Sequence, residues 1–134
     1  MRPMTNRQAE DSRPTILVID DDVLSLELYS RELSSNYQVI TCERLEDARQ
    51  RLDANFLTAV ILEPAMSEND GWLLLSEIHA SPDPLPVIVC SVLDERKDGL
   101  EQGADAFLVK PVLPTTLHHL IDQIVSQRNT KSSY

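Results

Sequence analysis

Four apolar runs in this chain each end in a polar residue suited to metal or phosphoryl chemistry. Ile16-Leu17-Val18-Ile19 leads into Asp20-Asp21-Asp22, and Val60-Ile61-Leu62 leads into Glu63. Further on, Val87-Ile88-Val89-Cys90 leads into Ser91, and Phe107-Leu108-Val109 leads into Lys110-Pro111. Adjacent carboxylates can share a hard cation through oxygen ligands, and an ammonium or hydroxyl can face phosphoryl oxygens. Each residue alone has an ordinary reading. Asp22 before Val23-Leu24 is a helix cap, a serine after a strand is a turn residue, and a strand-end lysine is exposed. The set of four in this order argues for a site. If the runs are neighbouring parallel strands, their carboxyl ends converge in one crevice, where open α/β sheets bind ligands.

The segments between the runs supply the elements that would position these residues. Strands are expected at about Thr15–Asp20, Tyr37–Thr41, Leu57–Leu62, Pro86–Ser91 and Asp105–Lys110. Helical periodicity covers about Val23–Ser34, with Leu26, Tyr29 and Leu33 on one face and Leu24 and Leu28 beside it. A second helix, Leu45–Ala54, would bury Leu45, Ala48 and Leu52, and a third opens at Asp70-Gly71. The prolines at 82, 84 and 86 stop that helix by removing donors and fixing φ. Asp94–Gln102 is a short, charged helix segment containing Gly99. Leu117, Leu120, Ile121, Ile124 and Val125 mark the final helix, about Pro114–Ser126. Alternating strands and helices predict a doubly wound parallel α/β sheet of five βα units.

Length and charge narrow the class. The 134 residues fit one domain, and 42% apolar with 25% charged residues is ordinary globular composition. A formal charge of −10 argues against direct nucleic acid binding. Cys42 and Cys90 are too far apart for a Cys-x-x-Cys site and read as buried small apolar residues. There is no signal-like segment and no membrane-length apolar stretch, so a soluble cytoplasmic chain is expected. Residues 1–13 and 128–134 read as disordered polar tails around a domain at 14–127.

The site residues resemble those of response regulator receiver domains in two-component signalling. The resemblance spans Thr15 to about Ser126. It rests on Ile16-Leu17-Val18-Ile19-Asp20-Asp21-Asp22, Asp70-Gly71, Gly103-Ala104-Asp105 and Leu108-Val109-Lys110-Pro111. It implies a flavodoxin-like (βα)5 fold with strand order 2-1-3-4-5. It also implies magnesium held by Asp20, Asp21, the acceptor side chain and the backbone carbonyl of Ala65. Ser91 and Lys110 would contact a phosphoryl group, Phe107 would report the switched state by its rotamer, and the bond before Pro111 would be cis. No catalytic residue is implied. The expected partner is a sensor histidine kinase or other signalling protein on the surface of the fourth helix, fifth strand and fifth helix. A homodimer stays open, and no membrane partner is expected.

The chain departs from the family at the acceptor. Counting back eight residues from Gly71 lands on Glu63, where the family has Asp. The carboxylate is one methylene further out, a displacement that costs rate in a site built for in-line transfer. Pro64 follows directly, and Ser67 replaces the usual proline. Ala65 and Leu93 stand at the water-directing positions and cannot orient a water. Ser91 and Lys110 are nineteen positions apart, about one turn short of the family spacing, and the deficit falls in the fourth helix. Glu63 then reads as a partial mimic of the phosphorylated state, or the domain is a docking module independent of phosphorylation. Cation binding is expected to be weak. Leu113 and the exposed side of the last helix form docking surface, with His118 and His119 as surface contacts. The competing class is a magnesium-dependent haloacid dehalogenase-like phosphohydrolase using Asp20 and Asp22, whose further acidic pair the chain lacks.

Overall fold

The computed structural model describes residues 11–54, 56–66 and 70–132. Ser67, read as replacing a proline, and tail residues 1–10 and 133–134 lie outside the described residues. Five strands alternate with five helices: β1 (Thr15–Ile19), α1 (Val23–Leu33), β2 (Gln38–Cys42), α2 (Leu45–Ala54) and β3 (Ala59–Leu62). Then come α3 (Gly71–His79), β4 (Val87–Ser91), α4 (Arg96–Glu101), β5 (Ala106–Val109) and α5 (Pro114–Ser132). All strand pairs are parallel, in the order β2-β1-β3-β4-β5.

The sheet is covered on both faces, which explains why its central strands read as unbroken apolar runs. Successive strand side chains alternate between two cores. Leu17, Ile19, Val60, Leu62, Val87 and Val89 face Leu45 and Ala48 of α2 and Leu74, Leu75 and Ile78 of α3. Ile16, Val18, Ile61, Ile88 and Cys90 face Leu26, Tyr29 and Leu33 of α1 and Leu117, Ile121 and Val125 of α5. The expected α1 face is the buried one, and on α5 Leu117, Ile121 and Val125 are buried while Leu120 and Ile124 are half-buried beside them.

Leu24 and Leu28 lie beside the α1 core face and are 75% and 41% exposed. Their side chains fall on the edge of the stripe that turns toward the β5–α5 loop. One reading needs correction: the last helix continues past Ser126 to Ser132. Gln127, Arg128 and Lys131 are good helix formers, and Arg128 is tied to the Pro84 carbonyl at 3.1 Å. At the other end, Arg13 donates to the carbonyls of Ser34 and Tyr37, at 2.5 and 3.4 Å. Residue 13 therefore packs on the C-terminus of α1.

Candidate functional site

Backbone hydrogen bonds carry the sheet ladder one residue beyond three strand pairs. Asp20 N–H donates to Cys42 O at 3.0 Å, Glu63 N–H to Ile19 O at 2.9 Å, and Lys110 N–H to Ser91 O at 2.7 Å. Asp20, Glu63, Ser91 and Lys110 are thus held in register along one edge of the sheet. Asp20, Glu63 and Ser91 are 2%, 4% and 1% exposed, the buried polar residues among an otherwise apolar core. The peptide between Lys110 and Pro111 is cis.

Lys110 is the hub. Its Nζ donates to Asp20 Oδ2 at 2.7 Å and lies 3.3 Å from Glu63 Oε1. The remaining oxygens take backbone donors. Asp20 Oδ1 accepts from Asp22 N–H at 2.9 Å. Glu63 Oε2 accepts from Ala65 N–H at 3.1 Å, and Glu63 Oε1 accepts from Val92 N–H at 3.3 Å. Ser91 Oγ accepts from Leu93 N–H at 3.3 Å. Glu63 thereby links the end of β3 to the β4–α4 loop and to Lys110.

The charges respond to this burial. Desolvation pushes the Asp20 carboxyl above the usual range, and the nearby Glu63 charge adds to it, against the hydrogen bond from Lys110. Burial alone would lower the Lys110 ammonium, but Asp20 and Glu63 together hold it above its ordinary value. Both move up: for Asp20 desolvation outweighs the one cation beside it, whereas for Lys110 the two acids outweigh desolvation. Asp22 is exposed at the N-cap of α1 in extended backbone. Its Oδ2 accepts from the Ser25 hydroxyl at 2.8 Å, which holds that carboxyl below the usual range. The Asp22 side chain is thus taken by Ser25, while its backbone amide serves Asp20.

Both oxygens of Asp20 and both of Glu63 accept hydrogen bonds, and lone pairs remain on both carboxylates with which they would hold a cation. Asp21 is exposed. Among the described residues, no three His, Cys, Asp or Glu side chains gather so as to hold a metal. The Lys110 ammonium supplies positive charge to this pair of acids.

Several contacts lay beyond sequence reading. The Val92 and Ala65 amides are backbone donors, and only the loop geometry aims them. His118, read as a surface contact, is mostly buried, and its Nδ1 lies 2.9 Å from Glu32 Oε2 of α1. Tyr37 OH donates to Asp122 Oδ1 at 2.5 Å in the same cluster. His119 is exposed. Phe107 is buried, 7% exposed, beneath α4. Arg96, Lys97 and Asp98 face solvent, Glu95 is half-buried, and Leu113 is 69% exposed.

A five-stranded parallel sheet in this order, with acids, a hydroxyl and a lysine at its carboxyl edge, defines the flavodoxin-like, doubly wound class of fold. The family profile of the response regulator receiver domain matches residues 16–122, and the chain belongs to that family. The transcriptional regulatory protein BasR of Escherichia coli (strain K12) is 30% identical over 122 residues, covering 87% of this chain and 54% of that protein. The transcriptional regulatory protein PrrA of Mycobacterium tuberculosis (strain ATCC 25618 / H37Rv) is 31% identical over 124 residues, covering 90% and 53%. The chain thus spans about half the length of these relatives. A CheY-like receiver domain protein from Methanospirillum hungatei JF-1 shares the fold, with a TM-score of 0.83 at 22% identity over 90% of this chain and 99% of that one. Receiver domains are in general non-enzymatic signalling domains that bind Mg2+ at the phosphorylation site and interact with histidine kinases and other signalling proteins. The phosphohydrolase alternative finds no support in these matches. Among the described residues, no helix is long and apolar enough to cross a membrane.

Proposed function

We propose that this chain is an atypical receiver that signals through protein contacts, with Glu63 acting as a built-in, partial substitute for a phosphorylated acceptor. One observation carries the reading. The Glu63 carboxylate collects the Ala65 amide, the Val92 amide and the Lys110 ammonium. Three donors on three segments meet at a single anion, so the acceptor position already carries a negative group satisfied from both sides. Its single charge is smaller than the roughly −1.5 to −2 of a phosphoryl group, so the substitution is incomplete. The donors that would receive a transferred phosphoryl group are engaged, and phosphotransfer to Glu63 is not part of the role. The partner is a histidine kinase or another cytoplasmic signalling protein reading the surface of α4, β5 and α5.

Incubation with acetyl phosphate and Mg2+ followed by intact mass measurement tests the reading. The native chain should stay unmodified, and the Glu63→Asp variant should gain a phosphoryl adduct. Glu63→Gln, which removes the charge but keeps the length, should change partner binding or oligomeric state. A stable adduct on Glu63, or a Glu63→Gln variant indistinguishable from native in binding, overturns it.

A further inference from the structure

β5 forms one edge of the sheet and β2 the other. Edge strands present backbone donors and acceptors, which chains normally blunt with charges, proline or bulges. Gln38–Cys42 of β2 contains no charge and no proline, and its register with β1 is unbroken from Gln38 to Cys42. The ladder also fixes which backbone groups are left over. Gln38 N–H donates to Pro14 O, and Cys42 O accepts from Asp20 N–H, so Gln38, Ile40 and Cys42 turn their backbone toward β1. The residues between them turn theirs away. Val39 and Thr41 therefore each offer an N–H and a C=O along the free edge, and the Thr41 side chain is exposed beside them. The flank of this edge is charged in a set order. Thr41 shares a concavity with Asp47, Gln50 and Arg51 of α2, all exposed. Asp47 lies in the first turn of α2 and Arg51 in the last. A second copy turned end to end brings the acid of each helix against the base of the other.

We propose that β2 pairs antiparallel with β2 of a second copy, joining the two five-stranded sheets into one continuous sheet. A twofold axis at Ile40 sets Val39 opposite Thr41 of the second copy, and Thr41 opposite its Val39. Every outward N–H of the two strands then meets an outward carbonyl, the hydrogen-bonded pairing of antiparallel strands. The two α2 helices meet side by side and antiparallel over the joint, with Asp47 of each facing Arg51 of the other. The interface lies at the opposite edge from β5, so it leaves the surface of α4 and β5 uncovered. It does not depend on the role given to Glu63.

Sedimentation velocity of the full chain across micromolar to millimolar concentrations tests it. The native chain should behave as a monomer–dimer equilibrium. Thr41→Pro removes an outward N–H while leaving every bond to β1 in place, and it should stay monomeric. Thr41→Lys, which charges the same edge, serves in its place should the proline disturb β2. Asp47→Arg and Arg51→Asp should each raise the dissociation constant by roughly tenfold, since symmetry reverses two pairs at once. Mixing these two variants should restore association as a heterodimer, because opposite charges then face each other again. That arm separates a lost contact from a lost fold. The proposal is overturned if the native chain is monomeric throughout, or if the Thr41 variants dimerise as it does. It is equally overturned if the mixture associates no better than either variant alone.

Discussion

Asp20 and Glu63 bring two carboxylates to one ammonium, and the balance among them has a testable sign. Because the folded-state pKa of Asp20 is raised, its effect on stability is most favourable below the ordinary Asp range. That benefit is lost as pH climbs through the raised value. At neutral pH the ionised Asp20 is therefore a net cost, even with Lys110 beside it, and Lys110 keeps Glu63 as a second partner at 3.3 Å. Asp20→Asn should raise stability at pH 7 by about 1 kcal/mol, measured by thermal unfolding in metal-free buffer. The gain should shrink as pH falls through the raised Asp20 value and native Asp20 takes up a proton; a gain of equal size at neutral and acid pH would contradict the electrostatic account. The four strand-end residues were legible in the sequence because an apolar run must stop where the crevice begins. The direction of the Glu63 oxygens was not, since it depends on where the β4–α4 loop points the Val92 amide.

At the scale of elements, α3 is the clearest case of a helix placed by one residue. A Cβ on Gly71 would sit 2.4 Å from Pro64 Cα and 2.7 Å from its carbonyl oxygen. The start of α3 therefore presses directly on the peptide that follows Glu63. Glycine to alanine inside a helix ordinarily stabilises by up to about 1 kcal/mol, but here the clash is with backbone that cannot swing aside. Gly71→Ala should destabilise by about 2 kcal/mol, seen as a lower urea midpoint with an unchanged slope. The Asp70-Gly71 pair was visible from the sequence as a family feature, whereas its reason, contact with Pro64, is tertiary. The strand and helix order was readable because every element has its own period and its own breakers. Leu24 and Leu28 were read beside the α1 face; how exposed they are was not legible, because periodicity gives the centre of a buried stripe better than its edges and neighbouring elements decide which edge is covered.

At the scale of the molecule, two cores sandwich one sheet, and each buries one cysteine. Cys42 is 5% exposed and Cys90 1%. Burial pushes both thiols up, that of Cys90 to about 12. Neither should react with a thiol reagent at pH 8 while the chain is folded, since the thiolate is the reactive form. Both should label on unfolding in urea, along the same midpoint as the loss of helix signal. Labelling of Cys90 well before that midpoint would mean that the face covered by α1 and α5 opens on its own. The carboxylate that spans the end of β3 and the β4–α4 loop has one more consequence under the reading proposed for it. A phosphoryl group is added and hydrolysed, so its signal has a lifetime set by chemistry. An anion made of polypeptide has none: it is present from the moment the chain folds, and the strength of its message follows how many copies exist and how long each survives.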